Sequence, residues 1–448
     1  MATTPRAEVV AQRLGALLGA PVDGLPQRLS GGASQETWAF DLGGRPLILQ
    51  ASRGDRPRPA PLLRAAQAAG VPVAAVVADG EDEELGDWIV AERLAGTADA
   101  PAILGGEGVP AAETLVDQLA AALARVHRMG ADGLGLTRID DPLADLRAMH
   151  DGLGQPHPVF ELAFRELASA GPPERVLGTT VVHGDFRMGN VLVGQDGLAA
   201  VLDWELAHVG DPLADLGWPC IPAWRFTRPD RPAFGLGTRD ELVAAYEGHA
   251  GSAVDRDALR WWELHGTLRW GVICVVQAFT HLGGTRRSLE HAVIGRRACE
   301  VEWDLLALLD PTPEPPPAHR TSPDHGSGRG GPTFGGPHDR PTVAELLDAA
   351  RAELGDDVLP TLSGREAFKL RVALRAMGIA EREARLAPLH AAVRAEALAA
   401  AGAGDETQLA AAIRDGSLAA GRDLLDALRA LVRIKLEAAN PRYLEDHP

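Results

Sequence analysis

Residues 181–205 read VVHGDFRMGNVLVGQDGLAAVLDWE, and this stretch decides the fold. Val181 and Val182, preceded by Thr179 and Thr180, predict a short β-branched strand. His183, Asp185 and Asn190 then fall in a polar loop, and a hairpin follows, with strands at 191–193 and 199–202 around a turn at 194–197. Asp203 stands at the end of the return strand. Three oxygen-bearing side chains thus converge at strand ends. Mg²⁺ takes oxygen ligands, commonly one or two carboxylates plus substrate phosphates, so Asn190 with Asp203 is a sound ligand pair. Asp185, five residues before Asn190, is placed to accept a proton from a hydroxyl attacking a phosphoryl group. Taken singly, each of these residues reads as a turn cap. Their combination carries the chemistry.

Working outward, the first 94 residues mix an opening amphipathic helix (Val9, Val10, Leu14, Leu17, Leu18) with strand-like runs at 36–42, 46–50, 73–77 and 88–92. A helical stretch at 61–69 lies between the second and third runs. This order predicts a small antiparallel sheet with one helix packed on it. From about 111 the pattern is mainly helical, at 112–129, 158–170, 239–248, 258–282 and 286–309. Residues 311–340 are a linker, since 14 of those 30 residues are Pro or Gly. Gly326, Gly328 and Gly331 there match GxGxxG, but no strand precedes them and no helix follows directly, so they do not read as a dinucleotide site. Beyond the linker, Thr342 with Glu345 and Ser363 with Glu366 form capping boxes, and Ala, Leu, Arg and Glu dominate to Ile434 with breaks at Gly378, 402–404 and Gly416. The expectation is a bundle of four or five helices over 341–448 that mediates association, with the same chain, a second copy or another enzyme as partner. The chain therefore divides into 1–94, 95–310, the linker 311–340 and the helical domain 341–448.

Composition bounds the partners. The 448 residues carry 62 acidic and 44 basic groups, a net charge of −18, which repels phosphate backbones and argues against nucleic acid. Thirty acids against 18 bases fall within 95–310. Cys220, Cys274 and Cys299 form neither a disulfide framework nor a CxxC pair, so a reducing, cytoplasmic compartment fits. No apolar run is long enough to span a bilayer. The first lysine is Lys369 and the only other is Lys435, so no lysine chemistry occurs before residue 369.

An Asp-x4-Asn loop, a two-stranded hairpin and a second Asp at its return end make the arrangement of a kinase-like catalytic core. HGDFRMGN, LDWELAHVGDPLADLGW and WWELHGTLRWGVICVVQA together resemble the aminoglycoside phosphotransferase family, in particular its bacterial branch related to the kinase domains fused to acyl-CoA dehydrogenases. The resemblance covers about 25–310. It implies an α+β, two-lobed protein-kinase-like fold, followed by the all-α bundle, and binding of ATP and Mg²⁺ between the lobes. It makes Asp185 the catalytic base, Asn190 and Asp203 the metal ligands and His183 the residue that orders the loop. Asp211 and Asp215 brace that loop or cap a helix. Gly31, Gly32 and Ser34, in LSGGASQETWAF, sit where the family covers the phosphates, and VAERL, with Glu92 and Leu94, resembles the hinge that meets adenine.

One position departs from the pattern. A kinase core carries a cation on its third strand paired with a Glu on the next helix, yet Gln50 holds the cationic place and 42–80 contains no glutamate. Gln50 can hydrogen-bond a phosphate without charge, and Arg53, Arg56 or Arg58 lie within eight residues of it. Two readings therefore stay open. One is a phosphotransferase acting on the hydroxyl of a small molecule, a metabolic hydroxyacyl compound more than an aminoglycoside. The other is a pseudokinase-type nucleotide-binding or scaffold protein that has lost turnover.

Overall fold

The computed structural model describes residues 4–29, 35–52, 59–106, 108–174, 177–226, 228–285, 287–310 and 341–446. They form two compact units, Met1–Pro142 with Pro172–Gly266 and Leu143–Gly171 with Thr267–Pro448.

The first unit opens with α1 (Thr4–Leu18), whose Ala7, Val10 and Leu14 repeat at helical spacing and are buried. A five-stranded antiparallel sheet follows, from β1 (Gln27–Arg28), β2 (Gln35–Leu42), β3 (Arg45–Ser52), β4 (Val76–Asp82) and β5 (Gly86–Glu92), in the order β1-β2-β3-β5-β4. Alternate residues Trp38, Phe40, Leu47, Leu49, Ala51, Trp88 and Val90 form one core with the α1 stripe. Gln50 therefore lies on the opposite face of the sheet, registered between Thr37 and Ile89. Gly43 and Gly44 make the two-residue turn of the β2–β3 hairpin with φ of 60° and 78°. α2 (Pro59–Ala68) follows β3 and holds no acidic residue.

The strand expected at 73–77 begins instead at Val76 and runs through Asp82. The apolar Val73–Val77 signal marked only its entry: β4 is an edge strand, where a polar second half (Asp79, Gly80, Glu81, Asp82) meets water rather than a core.

After β5 come α3 (Ala100–Gly105), α4 (Ala112–Val126), α5 (Pro142–Asp151) and α6 (Pro158–Ala170). Three short pieces of sheet carry the loop of interest. β6 (Thr180–Val182) pairs with β9 (His208–Gly210), and β7 (Val191–Gly194) pairs with β8 (Gly197–Val201). α7 (Leu213–Gly217) and α8 (Arg239–Ala250) complete this part, and α9 (Arg256–Leu282) follows. α8 starts with a capping box, Thr238 accepting from the Glu241 amide and Glu241 from that of Thr238.

The single helix expected at 286–309 is two, α10 (Leu289–Gly295) and α11 (Ala298–Leu309). Gly295 is the last residue of the first, and its bare backbone lies against α9, where a built Cβ would stand 2.4 Å from that of Ala278.

In the second unit the C-terminal residues form five helices: α12 (Val343–Glu353), α13 (Gly364–Ala400), α14 (Glu406–Arg414), α15 (Arg422–Ala439) and α16 (Pro441–Asp446). The Thr342–Glu345 capping box is formed. At Ser363 the side chain makes no cap bond. The break expected at Gly378 is absent, and α13 runs through it. This glycine serves packing, since a Cβ there would meet the Arg351 guanidinium at 2.8 Å. Leu424, Leu428, Leu431 and Val432 of α15 are buried, whereas Val343, Leu346 and Phe368 are exposed. α14 packs on α6 and α15 on α11.

Candidate active site

Strand β6 delivers His183 into the core, fully buried. Its Nδ1 accepts the Asp185 amide at 3.2 Å and its Nε2 faces the Leu202 carbonyl at 2.9 Å. A carbonyl only accepts, so the proton sits on Nε2 and the ring is neutral, in keeping with burial that lowers its pKa. The backbone leaves β6 through Gly184, with φ +81°, where a Cβ would come 2.3 Å from the Leu206 carbonyl oxygen. Only glycine fits there.

Asp215, on α7 and fully buried, accepts the His183 amide at 2.6 Å and the Gly184 amide at 2.9 Å, with His127 Nε2 at 3.3 Å. Burial alone would raise its pKa, but the His127 hydrogen bond and the backbone amide of Gly184 stabilise the charged form and hold the carboxyl below its ordinary value. Asp215 thus braces the loop. Asp211 accepts the Leu213 amide at 2.8 Å, a turn closed at the entry to α7.

The Asp185 carboxylate gathers three donors. Asn190 Nδ2 reaches Oδ2 at 2.6 Å, while Trp218 Nε1 and Arg187 Nε reach Oδ1 at 2.7 and 3.0 Å. Arg187 in turn lies over the Trp224 ring, 4.3 Å from its centroid. Sequence reasoning singled out neither Trp218 nor Arg187, although both stand inside the motifs it quoted. His127, at the C-terminus of α4, carried no signal, because its role depends on tertiary proximity alone.

Asp203 has φ +59°, a left-handed conformation uncommon for a side-chain-bearing residue. The peptide before it is pinned on both sides: the Leu202 amide donates to the Asn190 carbonyl at 2.8 Å and the Leu202 carbonyl faces His183. Although the residue keeps an exposed surface, loss of water around its carboxyl, with the charges of Glu205 and Asp185, raises its pKa to about 6. A cation would relieve that repulsion. The Asn190 amide nitrogen is turned to Asp185, which leaves its oxygen as the available ligand atom. The donor set fits Mg²⁺.

Gln50 occupies the strand position usually held by a cation, with no acid on α2 to face it. Arg64 of α2 instead pairs with Asp79 of β4. The Glu92 amide donates to the Ala75 carbonyl at 3.0 Å and its carboxylate meets Arg45, while Leu94 is half-buried just past β5. Gly31, Gly32, Ser34, Arg53, Arg56 and Arg58 lie outside the described residues. Trp261, Trp262 and His265 are buried, with Trp261 stacked on His265. The three cysteines are buried, and burial pushes each thiol up to about 12, so they stay protonated and unreactive.

The fold recurs in solved structures. A candidate aminoglycoside phosphotransferase from Ralstonia eutropha superposes with a TM-score of 0.55 at 21% identity, over 66% of this chain and 96% of that one. Spectinomycin phosphotransferase, crystallised with ADP and spectinomycin, gives 0.51 at 13% identity, over 67% and 98%. Both share the kinase-like fold. Acyl-CoA dehydrogenase family member 10 of Mus musculus is 38% identical over 79 residues, and member 11 of Pongo abelii 33% identical over 76. Each match covers 15% of this chain, and only 7% and 10% of those relatives' lengths. Residues 360–443 match a domain of unknown function (DUF6285). Residues 26–262, more than half of the chain and all of the loop built around Asp185, match the phosphotransferase enzyme family (APH), and the protein belongs to that family.

Proposed function

We propose that the protein is an ATP- and Mg²⁺-dependent phosphotransferase that phosphorylates a hydroxyl of a small molecule, a hydroxyacyl compound rather than an aminoglycoside. The observation that carries this reading is the Asp185 carboxylate, fixed by Asn190, Trp218 and Arg187 beside Asp203. Asp185 orients the acceptor hydroxyl and takes its proton as the phosphoryl group transfers. Its three donors fix its geometry, which suits phosphoryl transfer, where positioning contributes most. Asn190 and Asp203 would hold Mg²⁺, which supplies neutralisation of charge on the phosphates. His183 and Asp215 keep the loop in register by tying its backbone to β8 and α7. Gly31, Gly32 and Ser34 would cover the phosphates, and Glu92 and Leu94 would flank adenine. The hydroxyacyl preference draws support from the local likeness to the acyl-CoA dehydrogenase family members.

Gln50, unaccompanied by an acid on α2, favours a second reading as a nucleotide-binding scaffold without turnover. Calorimetry of an ATP analogue with and without Mg²⁺, beside ATP consumption over a panel of hydroxyacyl compounds and aminoglycosides, separates the two. Turnover abolished by Asp185→Asn, with nucleotide affinity kept, is the expected result. Tight binding with no turnover on any acceptor would establish the scaffold instead.

A further inference from the structure

In the second unit, helices α6 and α11 present acids that meet cations from the C-terminal helices. Arg414 of α14 places Nη2 2.6 Å from Glu161 Oε1 and Nε 3.0 Å from Oε2, and reaches Asp151 at 2.7 Å. Lys435 of α15 lies 3.2 Å from Glu302 Oε2, and Arg429 lies 2.7 Å from Asp310 Oδ2. Glu161 and Glu302 are each 1% exposed. Ligand atoms of His150, Asp151 and Glu161 fall within 4.8 Å of one another, a spacing that a divalent ion uses. Two guanidinium groups, Arg147 and Arg414, already occupy those carboxylates, so the cluster is one half of an ion-pair network.

We propose that the acids of α6 and α11 form a docking surface for a helical module that presents cations at 414, 429 and 435, and that residues 341–446 are its occupant, held by those ion pairs and independently of the tether at 311–340. Glu161 and Glu302 each keep one partner outside the module, Arg147 and His157, but covering these acids removes water from their remaining lone pairs, so a helical layer lacking cations at 414, 429 and 435 would be disfavoured on this face. Leu409 and Ile413 of α14 and Leu428 and Leu431 of α15 are buried as well. A connecting segment of 30 residues only raises the local concentration of the module, so severing it leaves the contacts themselves intact. This gives the domain of unknown function a role as an in-cis partner of the phosphotransferase helices.

The test reads association alone and does not depend on the catalytic assignment. A protease site is placed within 311–340 of the full chain, cut after folding, and the product run by size exclusion with light scattering at about 0.15 M salt. Both pieces should migrate together at the mass of the intact chain. Asp310→Arg or Arg429→Asp alone should weaken their affinity by about tenfold or more, and the double exchange should restore it to within about threefold. Should those reversals not fold, Arg414→Gln, polar but shorter and uncharged, should weaken association by about tenfold. Pieces that separate on cleavage would overturn the proposal. So would affinity indifferent to the single changes, or a double exchange no better than either one.

Discussion

Asp215→Asn is the sharpest probe of the loop. The native carboxylate takes two backbone amides, at 2.6 and 2.9 Å, and faces His127 at 3.3 Å, in a fully buried site. Hydrogen bonds to a charged acceptor are worth about 1.5 to 3 kcal/mol each, against about 1 for a neutral one. Asparagine keeps one oxygen and turns an NH₂ toward the second amide, leaving that N–H unsatisfied at about 1 to 3 kcal/mol. Adding the weakening of the retained bond, about 0.5 to 2 kcal/mol, gives about 1.5 to 5 kcal/mol at neutral pH. Urea unfolding followed by tryptophan fluorescence reads this directly. The pH dependence is specific too. Because the folded-state pKa is depressed below 3.8, the stabilisation is complete above that value and is lost as pH falls through the lower folded-state pKa. The gap between native and variant should therefore narrow on acidification below about pH 4. A difference under about 1 kcal/mol at pH 7, or one that stays constant with pH, would refute the bracing argument.

Three further outcomes follow from the same geometry. Gln50→Arg restores a cation on the sheet face opposite the α1 core and should tighten an ATP analogue by about tenfold in calorimetry; unchanged or weaker binding would mean that phosphates do not approach this position. Asp203, with a pKa near 6, must lose its proton to bind a cation, so Mg²⁺-dependent nucleotide affinity should hold above about pH 7 and fall about tenfold per unit below about 6. A flat profile from pH 5 to 7 would exclude Asp203 as a ligand. Gly184→Ala forces a Cβ toward the Leu206 carbonyl at positive φ and should cost more than about 2 kcal/mol in thermal or urea unfolding, with loss of ATP turnover.

What was legible in the sequence was what is local in the chain. His183, Asp185, Asn190 and Asp203 lie within 21 residues, and the β-branched run, the turn and the polar loop between them fix their order without long-range information. Trp218, 33 residues beyond Asp185, and His127, 88 before Asp215, meet those residues only because α7 and α4 pack beside β6, and no periodicity encodes that. The same limit explains the misread glycines. Gly378 looked like a terminator because glycine disfavours helix, yet its missing side chain makes room for Arg351 from α12. Gly295, inside an expected helix, is the last residue of one, and its bare backbone admits α9. In each case the close neighbour that a missing Cβ accommodates is invisible in one dimension.

The acidic excess of residues 95–310 invites the inference that a cationic substrate binds there, and the structure weakens it. Among the described residues of that span seven carboxylates are buried: Glu161, Asp211, Asp215, Glu263, Glu300, Glu302 and Asp304. Each has an internal partner. In the first unit Arg225 and Arg239 hold Glu263, backbone amides hold Asp215, and the Leu213 amide holds Asp211. In the second, Arg147 and Arg414 hold Glu161, Lys435 holds Glu302, Asn440 holds Glu300 and Tyr443 holds Asp304. Burial would raise the Glu302 pKa, but Lys435 and His157 bring it down to about 2, so its charge is fully committed at neutral pH. Beside Asp185 itself stands Arg187, a cation. Charge that attracts a polycationic antibiotic must be solvent-facing and unpaired, and these groups are neither. These seven groups therefore lend no support to a polycationic acceptor, and the acceptor panel keeps hydroxyacyl compounds and aminoglycosides side by side.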